Sequence, residues 1–303
     1  MVNSRISYFV HFLVGALFLS AYCGRAQDIS FGTDIDPVRQ VKESAKLAKN
    51  TRIIELGTTG EGRDRHLAYP FPEAGKDMGF RICVPSSWDG KSPLPMVVFL
   101  HGGWCDENSY LDDNDKFLVK TADKFGYLLV SPSGGTEAYG NYLKLPAGFG
   151  KDAEARKCLS EVTPERRAEQ TISEKDVINV IEIALSLYPV DRKAMFLAGH
   201  SMGGGGTWYI GGKYSGYWRA IAPMSGPFVI KDGYPWENLA KMPIFVTEGT
   251  KAFPSVQSSR DLRDYLTENG FDVKYEEVDL DHMGMVPATL PDIFRWFDKI
   301  RNK

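Results

Sequence analysis

Apolar residues in this chain come as short unbroken runs separated by longer amphipathic stretches. Leu94 to Leu100 is the clearest run, and it fits a strand buried on both faces of a parallel sheet. Ala194–Ala198, Tyr127–Val130, Arg219–Met224, Pro243–Thr247 and Val273–Val278 predict further strands, with Arg52–Leu56 and Phe80–Val84 ahead of them. Between these runs the period becomes helical. Thr171-x-x-Glu174 reads as a capping box opening a helix, with Val177, Ile178, Ile181, Ala184, Leu185 and Tyr188 on one face. Other helices are expected near Lys116–Phe125, over Ser255–Asn269 with a stop at Gly270, and at the C-terminus, where Leu290, Ile293, Phe294, Phe297 and Ile300 share a face. Residues 27–50 are polar and read as a loose lead-in or short helix. Strands alternating with helices predict the α/β class, a mostly parallel central sheet with helices on both faces.

The N-terminus stands apart from this pattern. Arg5, a short apolar stretch from Tyr8 to Tyr22, and Gly24-Arg25-Ala26 form a signal peptide over residues 1–26. The expected mature chain, 27–303, is one domain, exported as a secreted or periplasmic protein with no stable membrane association after cleavage. Without Arg5 and Arg25 it carries 34 basic residues against 39 acidic, a net charge near −5, which excludes nucleic acid as the obvious partner. Cys83, Cys105 and Cys158 remain. Cys83 reads as a buried small hydrophobe, and Cys105 with Cys158, both in expected loops, as a disulfide. Asp112, Asp113 and Asp115 do not have the spacing of a calcium loop and are read as favouring a helix N-terminus. No Cys or His pair has zinc spacing, so no metal and no cofactor are expected.

The chemistry begins at Ser201. Gly199-His200-Ser201-Met202-Gly203 follows a strand-like run and precedes a glycine-rich helix start, which is the form of a nucleophile elbow. The elbow holds its serine in a strained backbone, so its neighbours must lack bulk. In the α/β-hydrolase order the serine comes first, then the acid, then the histidine. His282 is the one histidine after Ser201, and it lies just past the last predicted strand. It is the candidate general base. The oxyanion donors are expected at the backbone of Met202 and in His101-Gly102-Gly103-Trp104, with Gly103 and Trp104 left as alternatives.

His101-Gly102-Gly103, Gly199-His200-Ser201-Met202-Gly203-Gly204 and His282 together resemble the α/β-hydrolase superfamily, in its secreted esterase form. The set is that of polyhydroxybutyrate depolymerases, feruloyl esterases and acetyl xylan esterases, and the similarity runs from about Phe80 to the C-terminus. It implies an α/β-hydrolase fold and cleavage of carboxylic esters through an acyl-enzyme, on small-molecule or polysaccharide-linked ester substrates, plant polysaccharides or polyesters among them. Prolyl-oligopeptidase-like serine peptidases share much of the pattern and are the first alternative. The family pattern places Gly-x-x-Asp after the penultimate strand, but this chain reads Gly249-Thr250-Lys251-Ala252. An alanine cannot orient an imidazole. The acid then comes from Glu248, Asp232 or Asp279, with Glu248 the first choice; or Ser201 and His282 act as a dyad; or the chain is an inactive binding protein on this fold. Residues 134–170 form a long connection, a lid over the site or an exposed insertion. Trp104, Tyr234 and Trp236 are candidate linings of an acyl or sugar site.

Overall fold

The computed structural model describes residues 35–135, 138–140, 149–252 and 255–303. The leader expected at 1–26 and the middle of the 134–170 connection, including Tyr142, lie outside the described residues. Helix α1 (Pro37–Asn50) opens the described chain, with Asp36 as its N-cap accepting from Arg39 N at 2.8 Å and Pro37 in the first turn. The polar lead-in is therefore an ordered helix.

Three strands follow: β1 (Ile54–Thr59), β2 (Asp64–Phe71) and β3 (Lys76–Cys83). β2 has no counterpart among the predicted strands. Its buried residues Leu67, Ala68 and Tyr69 are consecutive rather than alternating, and Pro70 sits inside it. β4 (Leu94–Leu100) has the predicted limits. Helix α2 (Ser109–Phe125) is broken where Asn114, Asp115 and Lys116 take φ of 48°, 57° and 57°. Asp112 turns to the buried Arg81, 2.8 Å away, so it serves an ion pair as well as a helix start.

β5 (Leu128–Pro132) is followed by α3 (Asp152–Ser160) and α4 (Pro164–Leu187). The predicted capping box is not the start of α4. Thr163 is the N-cap, accepting from Arg166 N, and Pro164 occupies the first turn. Thr171 lies inside the helix and donates to Arg167 O at 3.0 Å. Glu174 is fully buried, accepting from the hydroxyls of Tyr209 and Tyr214 and pairing with Lys213 at 2.8 Å. The Thr-x-x-Glu pattern thus reports a core polar cluster, not a helix end.

β6 (Val190–His200), α5 (Met202–Lys213), β7 (Ala220–Met224), β8 (Ile244–Gly249), α6 (Ser255–Glu268), β9 (Val273–Val278) and α7 (Met285–Arg301) complete the chain. The nine strands form one sheet in the order β1-β2-β3-β5-β4-β6-β7-β8-β9. Pairings from β1 to β3 and from β3 to β5 are antiparallel, and those from β5 through β9 are parallel. This is the α/β architecture that the hydrophobic pattern predicts.

Strand alternation sorts the core onto two faces. Met96, Val98 and Leu100 of β4 join Ile178 and Ile181 of α4, Trp208 of α5 and Leu262 of α6 on one face. Val97 and Phe99 join Leu118 of α2 and Ile293, Phe294 and Phe297 of α7 on the other. This also corrects the expected disulfide. Cys105 packs on the second face and Cys158 on the first, with the sheet between them, so no bridge joins the two.

Candidate active site

Four successive parallel strands end at one edge of the sheet, and each delivers a residue of the site. Ser201 follows β6, Ser225 follows β7, Glu248 lies near the end of β8, and His282 follows β9. The carboxyl edge of such a sheet is where open α/β folds place ligands.

Ser201 has φ 60° and ψ −116°. For a residue with a side chain this is a strained conformation, costing on the order of 1–3 kcal/mol. Its surroundings impose it. A Cβ on Gly203 would come within 1.9 Å of Leu100 O, and one on Gly199 within 2.4 Å of Gly203 O. A Cβ on Gly226 would meet Ser201 O at 2.4 Å. Ser201 N donates to Met224 O at 2.9 Å, which ties the turn to the end of β7. The glycines of the motif therefore let helix, strand and loop close around a serine whose side chain stays partly exposed.

Met202, the first residue of α5, follows at the helix N-terminus. Across from it, the loop after β4 turns at Trp104, which has φ 57°. Buried His101 anchors that loop, with Nε2 2.7 Å from Ser133 O and Nδ1 2.8 Å from Gly102 O. Burial holds its pKa below the usual histidine value. The neutral ring carries one N–H, so one of these two contacts is a hydrogen bond. Tyr110 links the loop to the elbow: its hydroxyl lies 2.6 Å from His200 Nδ1, and a Cβ on Gly102 would meet it at 2.5 Å.

His282 returns from the far side of the sheet to the elbow. Its ring centroid lies 4.4 Å from that of His200, the residue before Ser201. Burial lowers its pKa to about 4, against a smaller upward pull from Asp281. Nδ1 meets the hydroxyl of Ser225 at 2.8 Å. Ser225 is a site residue absent from the sequence reading. It has φ 42°, is buried, and its N–H donates to Thr247 O at 2.9 Å.

The three acid candidates separate sharply. Asp279 is exposed and bound to Thr250 Oγ1 at 2.8 Å and Lys251 Nζ at 3.1 Å. Asp232 is exposed near Arg156, with its N–H bound to Asp152. Glu248 is fully buried. It accepts from Ser259 Oγ at 2.6 Å and from Gly249 N at 3.0 Å. Burial raises its pKa, opposed by the hydroxyls of Ser225, Ser259 and Ser255 and by the Gly249 N–H. Ala252, where the family pattern has aspartate, is buried, and its carbonyl accepts from Ser255 N and Oγ at the start of α6. Two aromatic candidates move out of the site. Trp236 packs among Tyr234, Tyr265 and Phe271, and the Tyr234 hydroxyl donates to Trp208 O, all on the first face of the core. Trp104 stays 48% exposed.

Comparison with known proteins agrees with this fold. The model of the Esterase family, described as "Putative esterase", matches residues 72–278, from just before β3 to the end of β9. No curated protein matches the sequence significantly. Among solved structures, a thermostable esterase is 21% identical with a TM-score of 0.59, covering 78% of this chain; the chain spans 63% of its length. An S-formylglutathione hydrolase from Staphylococcus aureus is 17% identical with a TM-score of 0.57, covering 82% of this chain and 97% of its own. A ferulic acid esterase from Anaeromyces mucronatus is 18% identical with a TM-score of 0.52, covering 82% and 96%. At these identities the structures establish a shared fold. The family match covers most of the sheet, and the chain belongs to the Esterase family, as a carboxylic ester hydrolase of α/β-hydrolase fold.

Proposed function

We propose that this protein is a serine esterase in which Ser201 is the nucleophile and His282 the general base. The observation that carries the reading is the backbone of Ser201, held at φ 60° between glycines that tolerate no side chain, with the His282 ring brought back to the adjacent His200. His282 Nε2 takes the proton of Ser201 Oγ as that oxygen bonds to the ester carbonyl carbon and the carbonyl π pair moves onto oxygen. The N–H groups of Met202 and of Gly103 or Trp104 stabilise the resulting anion. Collapse breaks the bond to the alcohol, whose oxygen receives the same proton. Water then repeats the sequence on the acyl-enzyme.

Exposed Trp104 at the turn of the oxyanion loop and exposed Met283 beside His282 support an ester with an apolar or aromatic acyl group, such as a polysaccharide-linked aromatic ester or a polyester segment. The leader at 1–26 supports export, and no described helix is long and apolar enough to cross a membrane.

Steady-state kinetics on an aryl acetate, a feruloyl ester and a peptide amide tests this reading. Turnover of the esters, with little on the amide and none by Ser201→Ala, is expected. Preference for the amide would make the protein a peptidase, and no turnover of any substrate would favour a binding protein on this fold.

A further inference from the structure

Ala252 leaves His282 without the aspartate that the family pattern supplies, yet its Nδ1 is not left to solvent. It meets a hydroxyl, and behind the hydroxyl lies a buried carboxylate. We propose that Ser225 is a positioning residue for His282, and that it joins the imidazole to Glu248 in the role a directly bound aspartate would fill.

For Nε2 to accept the Ser201 proton, Nδ1 must carry the ring hydrogen, and at 2.8 Å it donates to Ser225 Oγ. The Ser225 hydroxyl hydrogen must then point elsewhere. Ser255 Oγ, 3.2 Å away, donates its own hydrogen to Ala252 O at 2.9 Å and so can accept this one. The Glu248 carboxyl, whose pKa the Ser225 hydroxyl pulls down against burial, is the competing acceptor, and a charged acceptor binds a hydroxyl more strongly than a second hydroxyl does; it has no ion-pair partner among the described residues. A fully buried carboxylate without a cation is unfavourable unless donors surround it. Here the donors at hydrogen-bond distance are Ser259 Oγ at 2.6 Å and Gly249 N at 3.0 Å, and the Ser225 and Ser255 hydroxyls add to the pull that favours the charged form.

The backbone supports the same reading. Ser225 has φ 42°, a left-handed conformation in which a serine is uncommon. The neighbouring strand ends fix it there, through Ser225 N to Thr247 O and Ser201 N to Met224 O, both at 2.9 Å. The chain therefore holds a hydroxyl, at some conformational cost, between the imidazole and the carboxylate. The hydroxyl fixes the Nδ1–H tautomer and ring orientation, and the carboxylate behind it stabilises the imidazolium formed in the reaction.

The proposal rests on the Ser201–His282 reading, and the experiment separates the two. Ser225→Ala, Ser225→Gly, Glu248→Gln and the Ser225→Gly/Glu248→Gln double variant are compared in kcat and KM on an aryl ester, with Ser201→Ala as control. Glycine suits the positive φ, so Ser225→Gly removes the hydroxyl without adding strain. Each single variant is expected to lower kcat about 10- to 100-fold, below the roughly 10⁴-fold of a lost directly bound acid, with KM nearly unchanged. The double variant is expected to be no slower than the slower single one, since the two groups act as a unit. In ¹⁵N-labelled protein, His282 is expected as the Nδ1–H tautomer, with that proton shifted in Ser225→Gly. Wild-type kcat in both Ser225 variants, or single effects that multiply in the double variant, overturns the proposal while an inactive Ser201→Ala keeps the serine mechanism. Full activity in Ser201→Ala overturns both.

Discussion

The two ends of the site are built by different means. At the elbow, geometry is enforced by backbone contact: Gly199, Gly203 and Gly226 each sit where a Cβ would come within 2.4 Å or less of a carbonyl oxygen. At the acid end, geometry depends on side chains. Three serines from β7–β8 and α6 surround one buried carboxylate, and Ala252 occupies the position the family pattern gives to the acid. The first construction leaves few substitutions open. The second permits an acid to be moved so long as a chain of hydroxyls connects it to the base. The contrast predicts that changes at the elbow are severe and that changes behind His282 are graded.

The largest effect is expected at the nucleophile. Ser201→Ala lowers kcat on the order of 10⁵- to 10⁶-fold, measured by ester hydrolysis at high enzyme concentration. Next is Gly203→Ala. The added methyl would overlap Leu100 O at 1.9 Å, and the overlap is expected to reduce stability by about 3 kcal/mol, read by denaturant unfolding, with loss of activity at temperatures where the variant stays folded. A Gly203→Ala protein with wild-type stability and rate would remove the steric half of the comparison.

The Ser225 and Glu248 variants fall below these. The pH profile then probes His282 alone. Its pKa is lowered to about 4, by burial against the smaller upward pull of Asp281, with neutral His200 beside it from β6 and Glu248 behind Ser225 from β8. A base works unprotonated, and a lowered pKa keeps it unprotonated further into acid. The acid limb of kcat/KM is therefore expected near pH 4 rather than near the ordinary histidine value of about 6.5. A limb between pH 6 and 7 would show a ring more hydrated than the packing indicates. The smallest effect is expected from Ala252→Asp: less than about a threefold change in kcat, because the position behind His282 is already supplied. A large gain would mean that it is not.

These two ends also differ in how far the sequence reveals them. The elbow is local: five consecutive residues after a strand, a glycine-rich helix start, and one histidine downstream. β4 is equally legible, since an unbroken apolar run between turns marks its ends. The acid end is assembled from residues 225, 248, 255, 259 and 282, and serine is too common at strand ends to signal anything alone. One cue was available, Met224-Ser225-Gly226 directly after a predicted strand. Glu248 was readable as a candidate because it lies beside the expected acid position, but its link to His282 is a tertiary fact. The Thr171-x-x-Glu174 pattern misleads for a related reason. Its residues meet the capping rule locally, while Glu174 is committed to Tyr209, Tyr214 and Lys213 elsewhere in the fold. The Cys105–Cys158 pairing fails because both residues lie in polar stretches, and nothing in their spacing shows which side of the sheet each occupies.

The most direct test of the account is intact-protein mass spectrometry after treatment with a fluorophosphonate. The account predicts one covalent adduct, mapped by proteolysis to Ser201, absent in Ser201→Ala and formed more slowly in Ser225→Gly. No adduct on the folded wild-type protein, or an adduct that persists in Ser201→Ala, would contradict it.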